Sequence, residues 1–403
     1  MKKLVLILLT LSITLLFAEP IVKPGIDVLL EKNINLVKGK NVGLITNPTG
    51  VNSELISTID LLHQHPDINL VAIFGPEHGA RGNVHAGDKV DDIVDEKTGI
   101  KILSLYGKNR RPSKEMLEGI DVLIYDIQDI GCRSYTYIYT MSFSMEAAKE
   151  FNIPFIVLDR PNPVGGNLID GPILEPQYKS FVGYYPIPYV YGLTCGELAN
   201  FFNNEYDIDC DLTVVEMEGY EREMIFEDTG LEWVPTSPHV PHAISALYYP
   251  LTGIIGELHT IDIGIGYLNP FELIGQEWID GQELAEELNS RKLDGVNFRP
   301  MFWTPYYHKN AKKHMQGVQV HITDAKSVKP VEVQVHIMAA LKKLYPEQNM
   351  FNDKRNAMFD KVCGVSTWRE DINDGVKAKK LIKAWRKDLK KFKKKSQKYY
   401  LYD

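Results

Sequence analysis

Four short apolar runs, three of them closed by a polar cluster, restrict this chain more than any other feature. Val42–Thr46 (VGLIT), Asn69–Phe74 (NLVAIF), Asp121–Tyr125 (DVLIY) and Pro154–Leu158 (PFIVL) are nearly continuous in apolar residues. Lys101–Tyr106 reads as a further strand. Helical stretches lie between them, over Leu55–His63, over a short turn capped by Ser113 and ending at Gly119, and over Thr136–Phe151. Strands that are apolar throughout and alternate with helices predict an α/β fold with a mostly parallel sheet covered on both faces.

The strand ends carry the functional signal. One run leads into Gly75-Pro76-Glu77-His78-Gly79, another into Asp126-Ile127-Gln128-Asp129, and a third into Asp159-Arg160-Pro161-Asn162. In open α/β sheets ligands bind outside the carboxyl ends of the strands, so these three clusters should converge. A capping accident could explain one such cluster but not three together.

Within them, Glu77 sits in a glycine-rich turn whose backbone can approach a ligand closely. A carboxyl group held on such a turn suits general acid work; the plainer reading pairs Glu77 with Arg81. Asp126, at a strand end, is the best second carboxylate. Two carboxyl groups about 5–5.5 Å apart suit a retaining glycosidase, and about 6.5–9.5 Å an inverting one. Asp129 and Arg133 serve equally well as cleft groups or as an ion pair holding a loop. Tyr135 offers a ring for a sugar face, or packing. Asp159, Arg160 and Asn162 bring charge and amide hydrogen bonds, with the arginine able to hold a carboxylate bidentately, or else they fix a proline-rich turn. Glu175 is a weaker carboxylate candidate.

Other chemistries find little support. The chain has no G-x-S-x-G, Walker A or H-E-x-x-H motif. His78, His85 and Asp88 match no standard zinc spacing, so neither metal nor cofactor is expected. The formal charge of -8 argues against general nucleic-acid binding. It is unevenly spread: residues 377–403 carry twelve Lys/Arg against two Asp. Leu381, Trp385, Leu389 and Phe392 recur there at helical spacing, which predicts a helix packed by one stripe with its lysines in water.

Met1-Lys2-Lys3 followed by the apolar run Leu4–Phe17 and the small Ala18 reads as an export signal over residues 1–18. That run is too short to span a bilayer comfortably. A periplasmic or extracellular location without a stable membrane span is therefore expected. Cys132, Cys195, Cys210 and Cys363 contain no C-x-x-C pair and are expected mostly as buried thiols.

Beyond Leu158, residues 171–197 look loop-like, Glu197–Asn204 helical and Val214–Met217 extended. The character changes near residue 247. Gly253–Gly266 is glycine-rich, Gly281–Leu288 and Val331–Leu344 are helical, and Gly317–Ile322 alternates like a strand of an exposed sheet. The domains are thus placed at 20–247 and 248–403, the second completing a cleft.

Nine motifs, in order, resemble the exo-β-N-acetylmuramidase (NamZ-type) glycoside hydrolase family. They are GLITNPTG at 43–50, FGPEHGARG at 74–82, SLYG at 104–107, DIQDIGCRSYTYIYT at 126–140, LDRPNPVGG at 158–166, GPILEP at 171–176, WVPTSP at 233–238, PFELIG at 270–275 and GVQVHITD at 317–324. The resemblance implies a Rossmann-like first domain, a smaller α/β (α+β) second domain and a cleft between them. It implies release of terminal N-acetylmuramic acid from the non-reducing end of peptidoglycan fragments. It makes Glu77 the leading catalytic carboxylate and Gln128, Asp129, Arg133 and Asn162 cleft residues; His78, Arg81 and Glu257 are further substrate-binding candidates. Ile263 and Ile265 depart from it, standing where the pattern usually has Glu and Arg; His239 stands where it has Asn. An exported exo-glycosidase without metal is the reading that follows; a glycan-binding protein that kept the cleft without its chemistry is the other.

Overall fold

A computed structural model describes residues 22–77, 79–82, 93–107, 109–351 and 353–403. The signal-segment reading, His78, His85 and Asp88 fall outside these residues.

The first half is a sheet built from β1 (Asn41–Thr46), β2 (Asn69–Gly75), β3 (Ile93–Val94), β4 (Lys101–Ser104), β5 (Val122–Asp126), β6 (Phe155–Leu158) and, later in the chain, a strand over Leu212–Val215. The spatial order is β3-β4-β2-β1-β5-β6 and then the Leu212–Val215 strand. All neighbours are parallel except β3 and β4. The two-residue alternation of a strand sorts the side chains. Val42, Leu44, Val122, Ile124, Ile156 and Leu158 pack with Ile26 and Leu29 of α1 (Gly25–Lys32) and Ile59 and Leu62 of α2 (Thr58–Gln64). Ile45, Leu123, Tyr125, Phe155 and Val157 face the other way, onto α3 (Tyr137–Phe151) and α4 (Cys195–Glu205). Both faces are covered, which is why the strands are apolar throughout.

The expected helix from Leu55 begins only at Thr58. The Asn52 side chain accepts from the backbone N–H of Glu54 and Ile56, and Leu55 turns left-handed at φ 63. The Ser113 helix is a single 3₁₀ turn, Glu115–Leu117. The stretch expected as loop contains β7 (Asp170–Ile173) and β8 (Pro188–Val190), an antiparallel pair preceding β9, the Leu212–Val215 strand. Residues around 247 lie in α5 (Ser245–Gly256), a helix that carries Pro250 internally and was masked in the sequence by that proline and two glycines.

The second half holds a three-stranded antiparallel sheet, β10 (Leu273–Gln276), β11 (Val296–Trp303) and β12 (Met315–Ile322), in the order β10-β12-β11. β12 is its centre, with Gly317 to Val320 buried, rather than an exposed strand. Against the sheet and α5 pack α6 (Gly281–Ser290) and α7 (Pro330–Leu344). The short helices α8 (Asn356–Cys363) and α9 (Trp368–Asn373) lead to α10 (Ala378–Ser396). That last helix buries Leu381, Trp385 and Phe392, with Leu389 half-buried, as the spacing predicts. All four cysteines are buried free thiols. Among the described residues no helix is long and apolar enough to cross a membrane.

Candidate active site

β1 is the strand from which the order runs outward in both directions: β2 and β4 on one side, β5, β6 and β9 on the other. Its carboxyl end is the switch point where such sheets open a crevice. The turn after it is knit to the turn after β5. Thr46 Oγ1 donates to the Asp126 carbonyl at 2.8 Å, and the Gln128 N–H donates to Thr49 Oγ1 at 2.9 Å. A Cβ on Gly50 would lie 2.1 Å from Thr46 Oγ1, so only glycine permits this approach. Gln128 spends both amide hydrogens on the Asp129 and Pro161 carbonyls, each at 2.8 Å. Two of the three expected clusters are thereby locked together.

The carboxylates at the strand ends divide into holders and one available group. Asp126 is fully buried, with Oδ1 and Oδ2 taken by Arg160 and Oδ2 also by the Thr58 hydroxyl. Asp159, also fully buried, accepts from the backbone of Arg160 and Gly196 and the hydroxyls of Thr194 and Tyr402. Burial pushes its pKa up to about 6 while those donors pull the other way. Asp129 accepts from the Gly131 N–H and the Tyr191 hydroxyl on Oδ2, and Oδ1 has no partner among the described residues. Burial raises it to about 6 as well.

Glu77 is different. It is half-buried, one hydrogen bond reaches its carboxylate, from the Tyr106 hydroxyl at 2.9 Å, and no ion pair does among the described residues. The Tyr106 hydroxyl is raised to about 12, by burial first and then by Glu77. Glu77 is also among the charges felt at the hydroxyls of Tyr135 and Tyr137. Those two rings meet edge-on at 5.0 Å, and Tyr135 meets Tyr249 at 5.7 Å. Thr236 anchors both: Tyr135 donates to its hydroxyl at 2.7 Å and Tyr137 to its carbonyl at 2.8 Å. Tyr249 in turn touches Phe271 at 4.9 Å, which joins this wall to the second half of the chain. Asn47, after β1, has its Nδ2 buried without an acceptor among the described residues, and Tyr137 is its neighbour. A half-buried carboxylate reached by one donor, beside ordered tyrosine hydroxyls, is a polar group of the kind a sugar and its glycosidic oxygen require.

Several expected site residues lie elsewhere. Arg81 pairs not with Glu77 but with Asp95, at 2.9 and 3.0 Å, and with Asp60 at 3.0 Å. Arg133 is fully buried and does not pair with Asp129. Its guanidinium donates to the carbonyls of Pro172, Ile187, Val362 and Cys363, tying the first half to α8. Asn162 fixes a turn, donating to the Leu193 carbonyl and accepting from the Val164 N–H. Arg160 and Gln128 border a crevice of about 20 Å³, too small for a sugar. Tyr135 packs by its edges and presents no open face. Glu175 accepts from Gln177 and the Ser366 N–H and borders a separate apolar cavity of about 560 Å³ beside Trp368 and Trp385. Glu257 pairs with Arg355 at 2.8 Å and lies close enough to Tyr249 to influence its hydroxyl. Ile263 packs on Gly256, and His239 shares a 2.9 Å hydrogen bond with the Tyr307 hydroxyl. Among the described residues no three His, Cys, Asp or Glu side chains could together hold a metal ion.

Asn47, Tyr106, Thr236 and Tyr249 were not singled out from the sequence. Three of them sit inside motifs already noted, GLITNPTG, SLYG and WVPTSP, where the larger charges drew attention away.

A doubly covered parallel sheet with a lightly held glutamate after β2, packed with a second α/β unit, defines a two-part α/β protein. The family model "Exo-beta-N-acetylmuramidase NamZ, N-terminal" matches residues 42–244, and its C-terminal counterpart matches residues 247–402. The chain belongs to that family. It is 49% identical over 384 residues to the peptidoglycan beta-N-acetylmuramidase NamZ of Bacillus subtilis (strain 168), spanning 95% of this chain and 92% of that one. A crystal structure of a DUF1343 family protein from Bacteroides fragilis NCTC 9343 superposes with a TM-score of 0.90 at 50% identity, over 95% of this chain and 99% of that one. A second from the same organism gives 0.74 at 30% identity, with the same coverage.

Proposed function

We propose that the protein is an exo-acting glycosidase that releases terminal N-acetylmuramic acid from the non-reducing end of peptidoglycan fragments. The observation that carries this is Glu77: among the described residues, the one strand-end carboxylate held by a single hydrogen bond and no ion pair, in a chain 49% identical to a peptidoglycan muramidase. In its protonated form Glu77 gives its proton to the glycosidic oxygen as the bond to the anomeric carbon breaks; water takes that carbon and a proton from it returns the carboxylate to its acid form, while the Tyr106 hydroxyl fixes the orientation of the Glu77 side chain. Asp126, with both oxygens engaged, supports the site through Arg160 rather than touching the sugar. Residues 1–18, with Lys2, Lys3 and the run Leu4–Phe17, export the protein to the periplasm or beyond.

The test is hydrolysis of a chromogenic β-N-acetylmuraminide by the protein and by Glu77→Gln, with the matching β-N-acetylglucosaminide alongside. Release from the muraminide by the wild type only supports the reading. Equal turnover by the folded Glu77→Gln variant removes Glu77 from the chemistry. No release from either substrate removes the glycosidase reading.

A further inference from the structure

Where α7 and α10 lie against each other, the surface is concave and basic. Two hollows run along it, of about 700 and about 920 Å³, and both are lined by His336 and Lys379. One wall is α7, through positions 332, 336, 339 and 343; the other is α10 with the turn before it. Nine Lys and Arg side chains line this groove, against Glu332 and Asp374 as its acids. Most of the acids in reach are already engaged. Arg386 takes Glu332 at 3.4 Å, and Glu287, beside the groove, is shared by Arg291 at 2.8 Å and Lys343 at 2.6 Å. Lys342, Lys377, Lys379, Lys383, Lys387 and Lys390 form no ion pair among the described residues. Asp374 is the one lining carboxylate left for six ammonium groups.

The periodicity of α10 makes the lysines a stripe. Positions 379, 383, 387 and 390 recur at intervals of three and four, a run of about 16 Å at 1.5 Å per residue. The opposite stripe, Leu381, Trp385 and Phe392, is buried in the body of the protein. A helix that settles into a bilayer needs an exposed apolar face, and α10 has already spent its own. No Phe, Tyr or Trp side chain lines the groove, so it offers nothing on which a nucleobase could stack. His336 adds no charge near neutrality: burial first, and then Arg291 and Lys379, holds its pKa down to about 4.

A concave run of unanswered ammonium groups, with neither an apolar edge nor an aromatic ring, suits negative charges strung along a flexible backbone. We propose that the groove between α7 and α10 holds a linear phosphate polymer, whose successive phosphates meet Lys379, Lys383, Lys387 and Lys390, with Lys342 and Lys377 continuing the track. Lysine binds phosphate as a point charge on a flexible stem, so the contact demands no fixed spacing of the partner. Walls on two helices enclose a strand from both sides, which a flat anionic surface cannot exploit. The groove shares no residue with Glu77, Tyr106 or the tyrosine wall, so it attaches the protein without taking part in turnover.

The test titrates the purified protein into fluorescently labelled inorganic polyphosphate and follows anisotropy from about 50 to about 200 mM salt. The logarithm of the affinity should fall against the logarithm of salt with a slope of about −4, at about 0.7 for each of six neutralised lysines. The triple variant Lys379→Gln, Lys383→Gln, Lys387→Gln should bind about tenfold or more weakly and flatten the slope by about 2, with its urea midpoint and muraminide turnover unchanged. A control triple, Lys40→Gln, Lys101→Gln, Lys114→Gln, removes the same charge from the first half and should bind as the wild type does. Equal weakening by both triples reduces the effect to net charge and overturns the proposal. So does a groove variant that binds like the wild type, or a wild type that binds no polyphosphate at the lowest salt. Tighter binding to phosphatidylglycerol vesicles, or to a thymidine oligonucleotide of equal charge, overturns it in favour of a membrane or a nucleic acid.

Discussion

Arg160 grips Asp126 through both carboxylate oxygens, Nε to Oδ1 at 2.5 Å and Nη2 to Oδ2 at 3.0 Å, with both side chains buried. The same guanidinium donates to the Val51 carbonyl at 2.7 Å, so the pair fastens the turn after β6 to those after β5 and β1. Removing one partner strands a charge in the interior, which costs about 3–5 kcal/mol. Arg160→Met should therefore lower the urea midpoint sharply. Asp126→Asn, assayed at a temperature where it is folded, should retain turnover within about tenfold of wild type, as an uncharged amide still fills the position. A folded Asp126→Asn protein with no turnover would place Asp126 in the chemistry.

Tyr106 gives Glu77 its one hydrogen bond among the described residues. Tyr106→Phe removes the hydroxyl and keeps the ring. The expected result is about a tenfold fall in kcat with a smaller change in KM, since the lost bond orients the reacting carboxyl group. Steady-state kinetics on the muraminide check it; a change confined to KM would assign Tyr106 to substrate binding instead.

Arg81 and Asp95 govern acid stability. The guanidinium bond holds the Asp95 pKa down to about 2. A carboxylate lowered on folding contributes stability that is full above its unfolded value, near 3.9, and is lost as the pH falls through its folded value. Arg81→Met should thus cost about 1–2 kcal/mol at pH 7, allowing for partial solvent screening, with the cost shrinking as the pH falls from about 4 and vanishing only below about pH 2. Denaturant titrations at several pH values give the answer; a pH-independent difference would sink the assignment.

Arg133 should matter for assembly rather than turnover. Its four carbonyl acceptors come from β7, the run into β8, and the end of α8. Arg133→Met leaves buried carbonyls unpaired, each costing about 1–3 kcal/mol. A large loss of thermal stability is expected, with normal activity per folded molecule. Normal stability with lost activity would contradict it.

The sheet was legible because its strands are buried on both faces, so each reads as an apolar run: Val42–Thr46 and Pro154–Leu158 match β1 and β6 within a residue. α5 was not, because Pro250 and Gly253 are breakers by local rules and survive through burial of Leu247, Leu251 and Ile254 around them. At the candidate site, the placement of Glu77 just after a strand was legible. Arg133 was misleading for a physical reason. A charged residue in a strand-end cluster looks like a ligand group, and nothing local reveals acceptors 39 and 230 residues away. The same holds for Asp126 and Asp159: sequence shows a carboxylate, and only the fold shows how many donors already reach it.

The Tyr402 hydroxyl on Asp159 joins groups 243 residues apart. Leu401 and Asp403 reinforce it, through the Glu197 side chain and the Arg222 N–H. During synthesis the β6 turn therefore emerges long before one of its four donors exists. Until Tyr402 has left the ribosome, Asp159 stays short of a bond and the first domain is unfinished, however complete its strands. The order of manufacture thus makes residues 401–403 a latch on a much earlier part of the enzyme. A nascent chain stalled short of residue 402 should be cut by protease near α4 in a way the released protein is not.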